Sequence, residues 1–319
     1  MANAPARIAV PVGDPNGIGP EIALRTAAHY AGRTDVQLTV FGPPAALARA
    51  AQGLRWPQLP PGLRLVETPW ASLCEPGVVS ADAGRAMVAA ATAAIEATRR
   101  GEFDAVVAGP HHERAVHLAG IPFSGYPSLL ARVCGLSADE VFMMLIGGDL
   151  RIVHVTLHER LQTALHRLSP ELVMQATRAG ARAMRRMGIA QPRIGLFGIN
   201  PHASEDGLFG DDDHRITTPA AKQLRAQGLQ VDGPLGADLL LAERRHDLYV
   251  AIFHDQGHIP VKLLYPRSAS ALSIGADVIL SSVGHGSAMD IAGQGKADPR
   301  AMIEAVARLA SVPSLLPSP

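Results

Sequence analysis

The segment 253–262, with the sequence FHDQGHIPVK, concentrates two imidazoles, a carboxylate, an amide and a lysine within ten residues. Imidazole and carboxylate groups bind divalent metals and transfer protons near neutral pH. The apolar run 248–252 precedes it and is typical of a buried strand of a parallel sheet. Because open α/β sheets bind ligands at the carboxyl ends of their strands, this segment is a candidate functional site. A polar turn with a structural histidine is the alternative interpretation.

Histidines also lie at or near the ends of two other predicted strands, so that three imidazoles could meet over one crevice. These histidines are His154, His202 and His254. Three neutral imidazoles with an open fourth position form a common type of catalytic divalent-metal site. Each of the three could instead be structural, and the apolar neighbours of His154 favour that interpretation for it.

Three further polar residues are candidates for acid–base chemistry or for binding a substrate anion. Lys262 follows His254 by eight residues; it is either a surface cation or a group that contacts a carboxylate or transfers a proton. Asp255 lies beside His254. Asp238 precedes the helix that leads to the central strand, where helix capping is the simpler role.

A glycine-dense turn, 284–295, follows the last predicted strand and could allow the backbone to approach a nucleotide closely. It is not a G-x-G-x-x-G fingerprint. The turn 13–19 also lacks the Gly-Lys-Ser/Thr of a phosphate-binding loop. By spacing alone, nucleotide binding is therefore weakly indicated.

Strand-like and helix-like segments alternate along the chain and predict an α/β fold with a largely parallel sheet. Helices are predicted from Pro20, across 82–100, from Ser169 and from Thr218. The predicted strands are 7–12, 36–41, 104–108, 141–145, 151–157, 193–199, 248–253 and 277–283.

Composition restricts the class of protein. The 319 residues are 47% hydrophobic, and equal numbers of basic and acidic residues, 29 each, argue against a nucleic-acid partner. No apolar run is long enough to span a membrane. The two cysteines, Cys74 and Cys134, lack a Cys-x-x-Cys pattern, so we expect a reduced, cytoplasmic protein.

Taken together, the motifs resemble the 4-hydroxythreonine-4-phosphate dehydrogenase family, whose architecture is that of the isocitrate and isopropylmalate dehydrogenases. The matching stretches run in order from near the start of the chain to about residue 298. They are GDPNGIGPE at 13–21, DAVVAGP at 104–110, NPH at 200–202, HDQG at 254–257, and HGS at 285–287 continuing to Gly293.

The resemblance implies two α/β/α domains with the active site in the cleft between them. We place the first domain at 1–125 and 286–319, and the second, with the dimer interface, at 126–285. It also implies a homodimer with shared active sites and one divalent metal ion per site, with zinc favoured and manganese, cobalt or nickel as alternatives.

The resemblance further implies that Lys262, Asp255 and Asp238 face the substrate and that His154, His202 and His254 hold the metal. NAD is expected on the 284–295 turn, through Gly284, His285, Gly286, Ser287, Asp290 and Gly293.

This chain departs from the family where phosphate is bound. The family's Gly-His-Thr-Glu segment corresponds here to Gly125-Tyr126-Pro127-Ser128, and the family's Asn and Arg fall at Ala271 and Leu280. These changes remove hydrogen-bond donors that a phosphate dianion needs.

A subgroup of the family, which oxidises a cyclohexadiene cis-diol dicarboxylate, has similar changes at these phosphate-binding positions. It matches here at 110–113, 123–130, 151–159, 197–205 and 270–275. We therefore expect a dicarboxylate diol as substrate, oxidised with loss of CO2. Its contacts are predicted to be Tyr126, Ser128, His111 and His112, although the two histidines could equally form a polar loop.

Three other functions remain open from the sequence. One is a dehydrogenase of the same fold that acts on a phosphorylated substrate such as 4-phosphohydroxy-L-threonine. A second is a metal-dependent hydrolase, since histidines and a carboxylate also activate water. The third is a metal-binding protein without catalytic activity. NAD dependence distinguishes both dehydrogenases from the other two.

Overall fold

Residue contacts divide the chain into two units, Met1–Leu136 with Ala276–Pro319, and Ser137–Gly275. The structure is a computed structural model that describes residues 4–60, 62–70, 74–266 and 269–311. The boundaries predicted from the sequence lie near 125 and 285 instead. The structural boundaries assign the helix Tyr126–Cys134 and the strand Leu280–Ser282 to the first unit.

The first unit is built on five strands in the order β3-β2-β1-β4-β11, and every pairing within it is parallel. The strands are β1 Ala6–Pro11, β2 Val36–Gly42, β3 Arg64–Glu67, β4 Ala105–Ala108 and β11 Leu280–Ser282. The helices are α1 Gly19–His29, α2 Pro44–Gly53, α3 Ala81–Arg99, α4 Glu113–Leu118, α5 Tyr126–Cys134 and α12 Arg300–Ala310.

Local chemistry explains where the helices of this unit begin. Pro20 occupies the first turn of α1, where its missing N–H and fixed φ carry no penalty, and Glu21 adds negative charge at the positive end of the helix dipole. The hydroxyl of Ser80 caps α3 by accepting a hydrogen bond from the N–H of Ala83 at 3.1 Å. These are the start positions that the sequence predicted to within a residue or two.

The second unit has six strands in the order β10-β5-β6-β9-β7-β8. They are β5 Phe142–Gly147, β6 Leu150–His154, β7 Arg193–Phe197, β8 Gln230–Leu235, β9 Leu248–Ala251 and β10 Ser270–Ile274. Its helices are α6 Leu161–Arg167, α7 Pro170–Arg186, α8 Asp212–Arg215, α9 Thr217–Ala226, α10 Ala237–Glu243 and α11 His254–Leu264, and 3-10 turns cover Ala138–Glu140 and Pro201–Gly207.

The expectation of a largely parallel sheet needs correction in this unit. Strand β5 pairs antiparallel with both β6 and β10. The tight turn at Gly148-Asp149 explains the first pairing: only these two residues separate β5 from β6, which is too few for a parallel crossover. Strands β3, β8 and β10 were not predicted from the sequence at all.

Strands β6, β9 and β7 are neighbours and run parallel, so their carboxyl ends lie at one edge of the sheet. Helix α11 starts directly after β9 and packs its Val261 into a buried cluster with Ile152, Phe197 and Tyr249. This packing fixes the helix against the sheet and positions the side chains at its start. In the part of the chain that the structure describes, no helix is both long and apolar enough to cross a membrane.

Candidate metal centre and active site

Gln256 fixes the start of α11. Its side-chain oxygen accepts hydrogen bonds from the N–H groups of Ile252 and Phe253, at 2.8 and 3.1 Å. Its amide nitrogen donates to the carbonyl of Gly198, just past β7, at 3.0 Å. The first N–H groups near a helix start need such partners because no turn precedes them. Gln256 therefore holds the helix start and its two histidines against the ends of β9 and β7.

Three histidines form a candidate metal centre in this unit. Each of His158, His254 and His258 offers a ring nitrogen, and these atoms all lie within 4.8 Å of one another. His254 and His258 are four residues apart on α11 and so share one face of the helix. His158 comes from the loop after β6, and its ring centroid lies 5.3 Å from that of His254. We call these three residues the histidine cluster.

The histidine cluster has the chemistry that a divalent metal requires. Burial, followed by the neighbouring charges of His254 and Lys262, lowers the pKa of His258 to about 4. His258 is therefore neutral at physiological pH and keeps a lone pair for a metal. His254 Nδ1 lies 2.7 Å from Oδ1 of Asp255, and a carboxylate at the second nitrogen is the usual partner of a metal-binding imidazole. The residues present can thus bind a metal.

Of the three histidines predicted as metal ligands, only His254 belongs to the cluster. His154 ends β6 and is buried, with Nδ1 3.3 Å from the carbonyl oxygen of Met143 and Nε2 3.1 Å from Nδ1 of His258. Both of its ring nitrogens are already engaged within the protein. It therefore lies behind the cluster, and the loop after the strand brings His158 forward instead.

His202 lies in the turn Pro201–Gly207, where residues 202–206 all have positive φ. Its side chain is 69% exposed, and Nδ1 contacts Oε2 of Glu205 at 2.9 Å. Among the described residues, it does not join the other histidines. Its assignment as a metal ligand stays a prediction.

The sequence analysis did not identify His158 or His258 as metal ligands. The spacing His254-x-x-x-His258 could have indicated the second of them, because residues four apart share a helix face. His158 is the fourth residue after the end of β6 and lies in a loop. A loop has no regular periodicity that would indicate where its side chain points.

The residues predicted to be catalytic lie at different places in the second unit. Asp255 contacts His254 as described above. Lys262 is exposed on α11, one turn after His258, and its charge contributes to the lowered pKa of that histidine. Asp238 is exposed in the first turn of α10, where an acidic group interacts favourably with the helix dipole.

A cavity of about 660 Å³ adjoins the histidine cluster and is large enough for a small organic substrate. Its polar lining includes His158, His254 and Asp255, and most of the remaining wall is apolar. The apolar lining residues include Leu157, Leu161, Leu165, Ile199 and Phe253.

In the first unit, the predicted substrate residues make internal contacts. Tyr126 is buried and donates its hydroxyl hydrogen to the carbonyl of Gly109 at 2.6 Å; burial raises its pKa. Ser128 donates to the carbonyl of Gly125 at 2.8 Å. Both hydroxyl groups therefore donate their hydrogens to hydrogen bonds within the protein.

The two predicted substrate histidines of the first unit differ in their surroundings. Burial lowers the pKa of His111, whose ring packs edge-on against Tyr126 with centroids 5.1 Å apart. Nδ1 of His112 is buried without a hydrogen-bond partner in the described part of the chain. A substrate role for these residues stays a prediction.

The turn predicted to bind the cofactor is anchored at one residue and open at its tip. Ser287 is buried: its hydroxyl donates to the carbonyl of His111 at 3.2 Å, and its own carbonyl accepts from the N–H of Ile18 at 2.9 Å. Gly284, His285 and Gly286 are exposed, and a Cβ added at Gly286 would meet nothing within 4 Å.

Farther along the same turn, Asp290 is exposed, and Gly293 has a φ of +74°. Exposed backbone and the exposed Asp290 carboxylate therefore lie on the same turn.

The fold and the histidine cluster define a mixed α/β enzyme with a substrate-sized cavity beside a candidate metal site. Residues 20–309 match the family model described as pyridoxal phosphate biosynthetic protein PdxA, and the chain belongs to this family. The family resemblance expected from the motifs is thereby confirmed, and the protein is an oxidoreductase of the dehydrogenase type.

Two relatives illustrate the range of the family. The chain is 54% identical to 1,2-dihydroxy-3,5-cyclohexadiene-1,4-dicarboxylate dehydrogenase from Comamonas sp. over 310 residues, which covers 96% of this chain and 98% of that protein. It is 38% identical to D-threonate 4-phosphate dehydrogenase from Cupriavidus necator, with 94% and 95% covered.

Two solved structures are similar along almost the whole chain. A terephthalate 1,2-cis-dihydrodiol dehydrogenase from Burkholderia xenovorans LB400 has 46% identity and a TM-score of 0.76, with 96% of this chain and 98% of that chain covered. A 4-hydroxythreonine-4-phosphate dehydrogenase from Burkholderia phymatum has 34% identity and a TM-score of 0.85, with 97% and 98% covered.

Proposed function

We propose that this protein oxidises and decarboxylates the cis-dihydrodiol of terephthalate, 1,2-dihydroxy-3,5-cyclohexadiene-1,4-dicarboxylate, to protocatechuate and CO2, with NAD as the hydride acceptor. The observation that carries the proposal is the 54% identity over 96% of the chain to a relative named for this substrate. The histidine cluster beside a largely apolar cavity supports it, because the substrate combines a hydrocarbon ring with a diol that a metal can bind.

The reaction needs the secondary alcohol to lose a proton and a hydride. When bound, a divalent cation supplies Lewis acidity toward the diol oxygens, and NAD supplies a hydride acceptor. His158, His254 and His258 would hold the cation, with zinc favoured and manganese, cobalt or nickel as alternatives. The Asp255 carboxylate keeps the His254 ring oriented toward the cluster.

Oxidation of the alcohol places a ketone beside the carbon that carries a carboxylate, and such β-keto acids lose CO2 readily. Lys262 is one turn from His258 on α11 and lies exposed. Its ammonium group would either neutralise a substrate carboxylate or protonate the enolate that remains. The leucine side chains of the cavity wall would give the reacting ring an apolar surface to pack against.

NAD would bind at the turn that contains Gly284, His285, Gly286, Ser287, Asp290 and Gly293. The exposed backbone of residues 284–286 offers N–H groups to the phosphates, and the Asp290 carboxylate can accept a ribose hydroxyl. An active site in a cleft between two domains of the isocitrate dehydrogenase type stays a prediction.

A second copy of this chain is the proposed protein partner. Ile259 and Leu263 are 54% and 76% exposed, and they lie four residues apart on one face of α11. Leu264 on the same helix and Leu239 on α10 are about half exposed. A face of this kind is costly to leave in water and is typical of an interface. In a homodimer with shared sites, the exposed His202 could contact the partner's site.

Light scattering of the purified protein tests the homodimer, which predicts twice the mass of 33.5 kDa. Leu263→Glu should shift the species toward monomer, because a carboxylate would be buried in the interface. Leu118→Glu, at an exposed leucine of α4 in the first unit, is the comparison. A monomeric wild type would contradict the dimer.

A phosphorylated hydroxy acid is the alternative substrate, since relatives named for such substrates are 33–38% identical. The structure gives less support to it. Leu280 is buried and Ala271 has no polar side chain, while the hydroxyl hydrogens of Tyr126 and Ser128 are committed internally. Few donors are left at these positions for a phosphate dianion.

NADH formation at 340 nm with each substrate class decides between the two. We expect turnover of the terephthalate diol, with stoichiometric protocatechuate and CO2 identified by chromatography and gas analysis. Chelation should abolish turnover, and zinc or manganese should restore it. Turnover only of 4-phosphohydroxy-L-threonine or D-threonate 4-phosphate would overturn the proposal.

A further inference from the structure

Helix α1 contacts the turn 284–295, which we call the cofactor turn, near its start. The carbonyl oxygen of Ser287 accepts a hydrogen bond at 2.9 Å from the N–H of Ile18, the residue that precedes the helix. Ser287 is buried at this contact, whereas Asp290, three residues later, is exposed. The cofactor turn is therefore attached to α1 before its exposed part begins.

Two side chains of the same helix bind the other end of the cofactor turn. Oε1 of Glu21 accepts a hydrogen bond at 2.8 Å from the N–H of Ala297, which is also buried. Nη2 of Arg25 donates to the carbonyl oxygen of Gly295 at 2.7 Å. These bonds involve two successive peptide groups. Helix α1 thus contacts the segment on both sides of the exposed Asp290.

Glu21 and Arg25 also contact each other. They are four residues apart on α1, and Nε of Arg25 lies 3.4 Å from Oε1 of Glu21. Glu21 is 2% exposed, and a carboxylate shielded from water is costly unless a positive charge and hydrogen bonds compensate it. Hydrogen bonds to charged groups are shorter and stronger than those between neutral groups. The pair therefore holds Gly295 and Ala297 in one arrangement instead of only covering them.

Close packing connects this end of the cofactor turn to its exposed part. A Cβ at Gly53, the last residue of α2, would lie 2.5 Å from the carbonyl oxygen of Gly293, and one at Gly295 would lie 2.4 Å from the carbonyl oxygen of Gly53. Nε2 of Gln294 donates to the carbonyl oxygen of Asp290 at 2.8 Å. A displacement of Gly295 would therefore also change the surroundings of Gly293 and Asp290.

We propose that Glu21 and Arg25 are positioning residues, which hold the cofactor turn in the conformation that binds NAD. They act through the backbone of Gly295 and Ala297. A turn that is ordered before its ligand arrives loses less conformational entropy on binding, so it binds more tightly. This inference rests on the cofactor site of the proposed function.

Calorimetry with NAD, in the absence of the diol, tests this role without turnover. Glu21→Leu removes the acceptor for the Ala297 N–H, and Arg25→Met removes the donor to Gly295 while it keeps an unbranched apolar stem. In each variant the Kd for NAD should rise about tenfold or more, the effect expected from the loss of one hydrogen bond to a charged group.

Glu21→Gln is the conservative variant. Its amide oxygen can still accept from the N–H of Ala297, and its NH2 group would take the place of Oε2, which has no hydrogen-bond partner among the described residues. It should therefore bind NAD within about threefold of the wild type. Arg85→Met, at an exposed arginine of α3 in the same unit, is the control and should bind NAD like the wild type.

Hydrogen–deuterium exchange of the NAD-free protein measures the order of the turn directly. Peptides that cover 284–298 should exchange faster in Glu21→Leu and Arg25→Met than in the wild type, because local opening becomes easier. Peptides of the second unit should be unchanged, and so should zinc affinity, since the histidine cluster lies there. With the diol as substrate, the KM for NAD should rise while kcat at saturating NAD changes less than about twofold.

Circular dichroism checks that each variant folds, and Arg25→Met, at a partly exposed residue, carries the test where Glu21→Leu does not fold. An unchanged Kd for NAD in the folded variants, or an equal loss in Glu21→Leu and Glu21→Gln, would overturn the positioning role. A wild type that does not bind NAD would overturn the cofactor site as well. If NAD binding follows the expected order while the diol is not oxidised, only the proposed substrate fails.

Discussion

The imidazole rings of His254 and His258 lie parallel, with centroids 3.7 Å apart and an angle of 11° between their planes. Two protonated rings at this separation would repel each other strongly. The structure avoids this because burial and the neighbouring charges keep the pKa of His258 near 4. At neutral pH His258 therefore offers a lone pair instead of a charge, which favours a cation beside it.

Zinc should therefore stabilise the protein through the histidine cluster. At a free zinc concentration 100 times its Kd, the free energy of unfolding should rise by about 2.7 kcal/mol. His158→Ala should remove most of this gain, because it deletes the ligand that the loop after β6 supplies. Thermal unfolding with and without zinc measures the effect.

His117→Ala, at an exposed histidine of α4, is the matched control and should keep the full zinc response. If His158→Ala responds to zinc as strongly as the control does, the cluster is not the metal site.

Gly257→Ala should destabilise the protein, although alanine is normally the better helix residue. The added Cβ would lie 2.3 Å from Nε2 of His154 and 2.9 Å from Cγ2 of Ile152, so strand and helix must move apart. Overpacking of this kind costs about 1–3 kcal/mol. Urea unfolding measures the change.

Gly286→Ala serves for comparison, because its Cβ would enter open space. Its free energy of unfolding should change by less than about 0.5 kcal/mol. Equal stability of the two variants would show that the close approach of His154 to α11 is not real.

Asp213 should be essential for the turn that carries His202. Its side chain is buried, and its two oxygens accept from the N–H groups of Ile199 and Asn200, at 2.8 and 3.0 Å. Two hydroxyls add hydrogen bonds at 2.9 and 2.6 Å, from Ser204 and Thr217. In Asp213→Asn, one carboxylate oxygen becomes an NH2 group that faces N–H and hydroxyl donors and cannot accept their hydrogen bonds. We therefore expect the free energy of unfolding to fall by about 2–4 kcal/mol.

Urea unfolding also measures this loss, and Asp206→Asn in the same turn, at an exposed residue, should be nearly neutral. A loss below about 1 kcal/mol in Asp213→Asn would mean that the network contributes little to the turn.

Asp14 should make stability depend on pH in the direction opposite to that of most carboxylates. Burial raises its pKa to about 6, against weaker opposing effects of the Asn16 N–H and the His112 charge. Among the described residues, no donor contacts its Oδ2. A carboxyl that binds protons more tightly when folded stabilises the native state at low pH, and this contribution is lost as pH rises toward 6.

Asp14→Asn removes the buried charge and keeps an oxygen for the Asn16 N–H, which contacts Oδ1 at 2.9 Å. It should therefore gain about 1–3 kcal/mol over the wild type at pH 8, and the gain should vanish below about pH 4. Urea unfolding at a series of pH values checks this. A variant less stable than the wild type at pH 8 would indicate that a partner stabilises the ionised Asp14.

The sequence by itself determined the α/β fold class, the starts of helices α1, α3, α7 and α9, the placement of polar residues after buried strands, and the family. These features depend on local chemistry: Pro20 and Ser80 define helix starts within a few residues, and an apolar run such as 248–252 can only be buried. The HDQG motif at 254–257, which is one of the matches to the family, also consists of consecutive residues.

Only the tertiary structure decided which histidines meet. His154 and His158 are four residues apart, and the family resemblance pointed to the first, although its apolar neighbours favoured a structural role. The strand ends with that ring turned inward toward Met143, and the loop that follows carries His158 to the cluster. The antiparallel pairing of β5 with β10 likewise joins segments more than 120 residues apart. Such choices depend on side-chain direction and on packing between distant segments, which neither composition nor periodicity specifies.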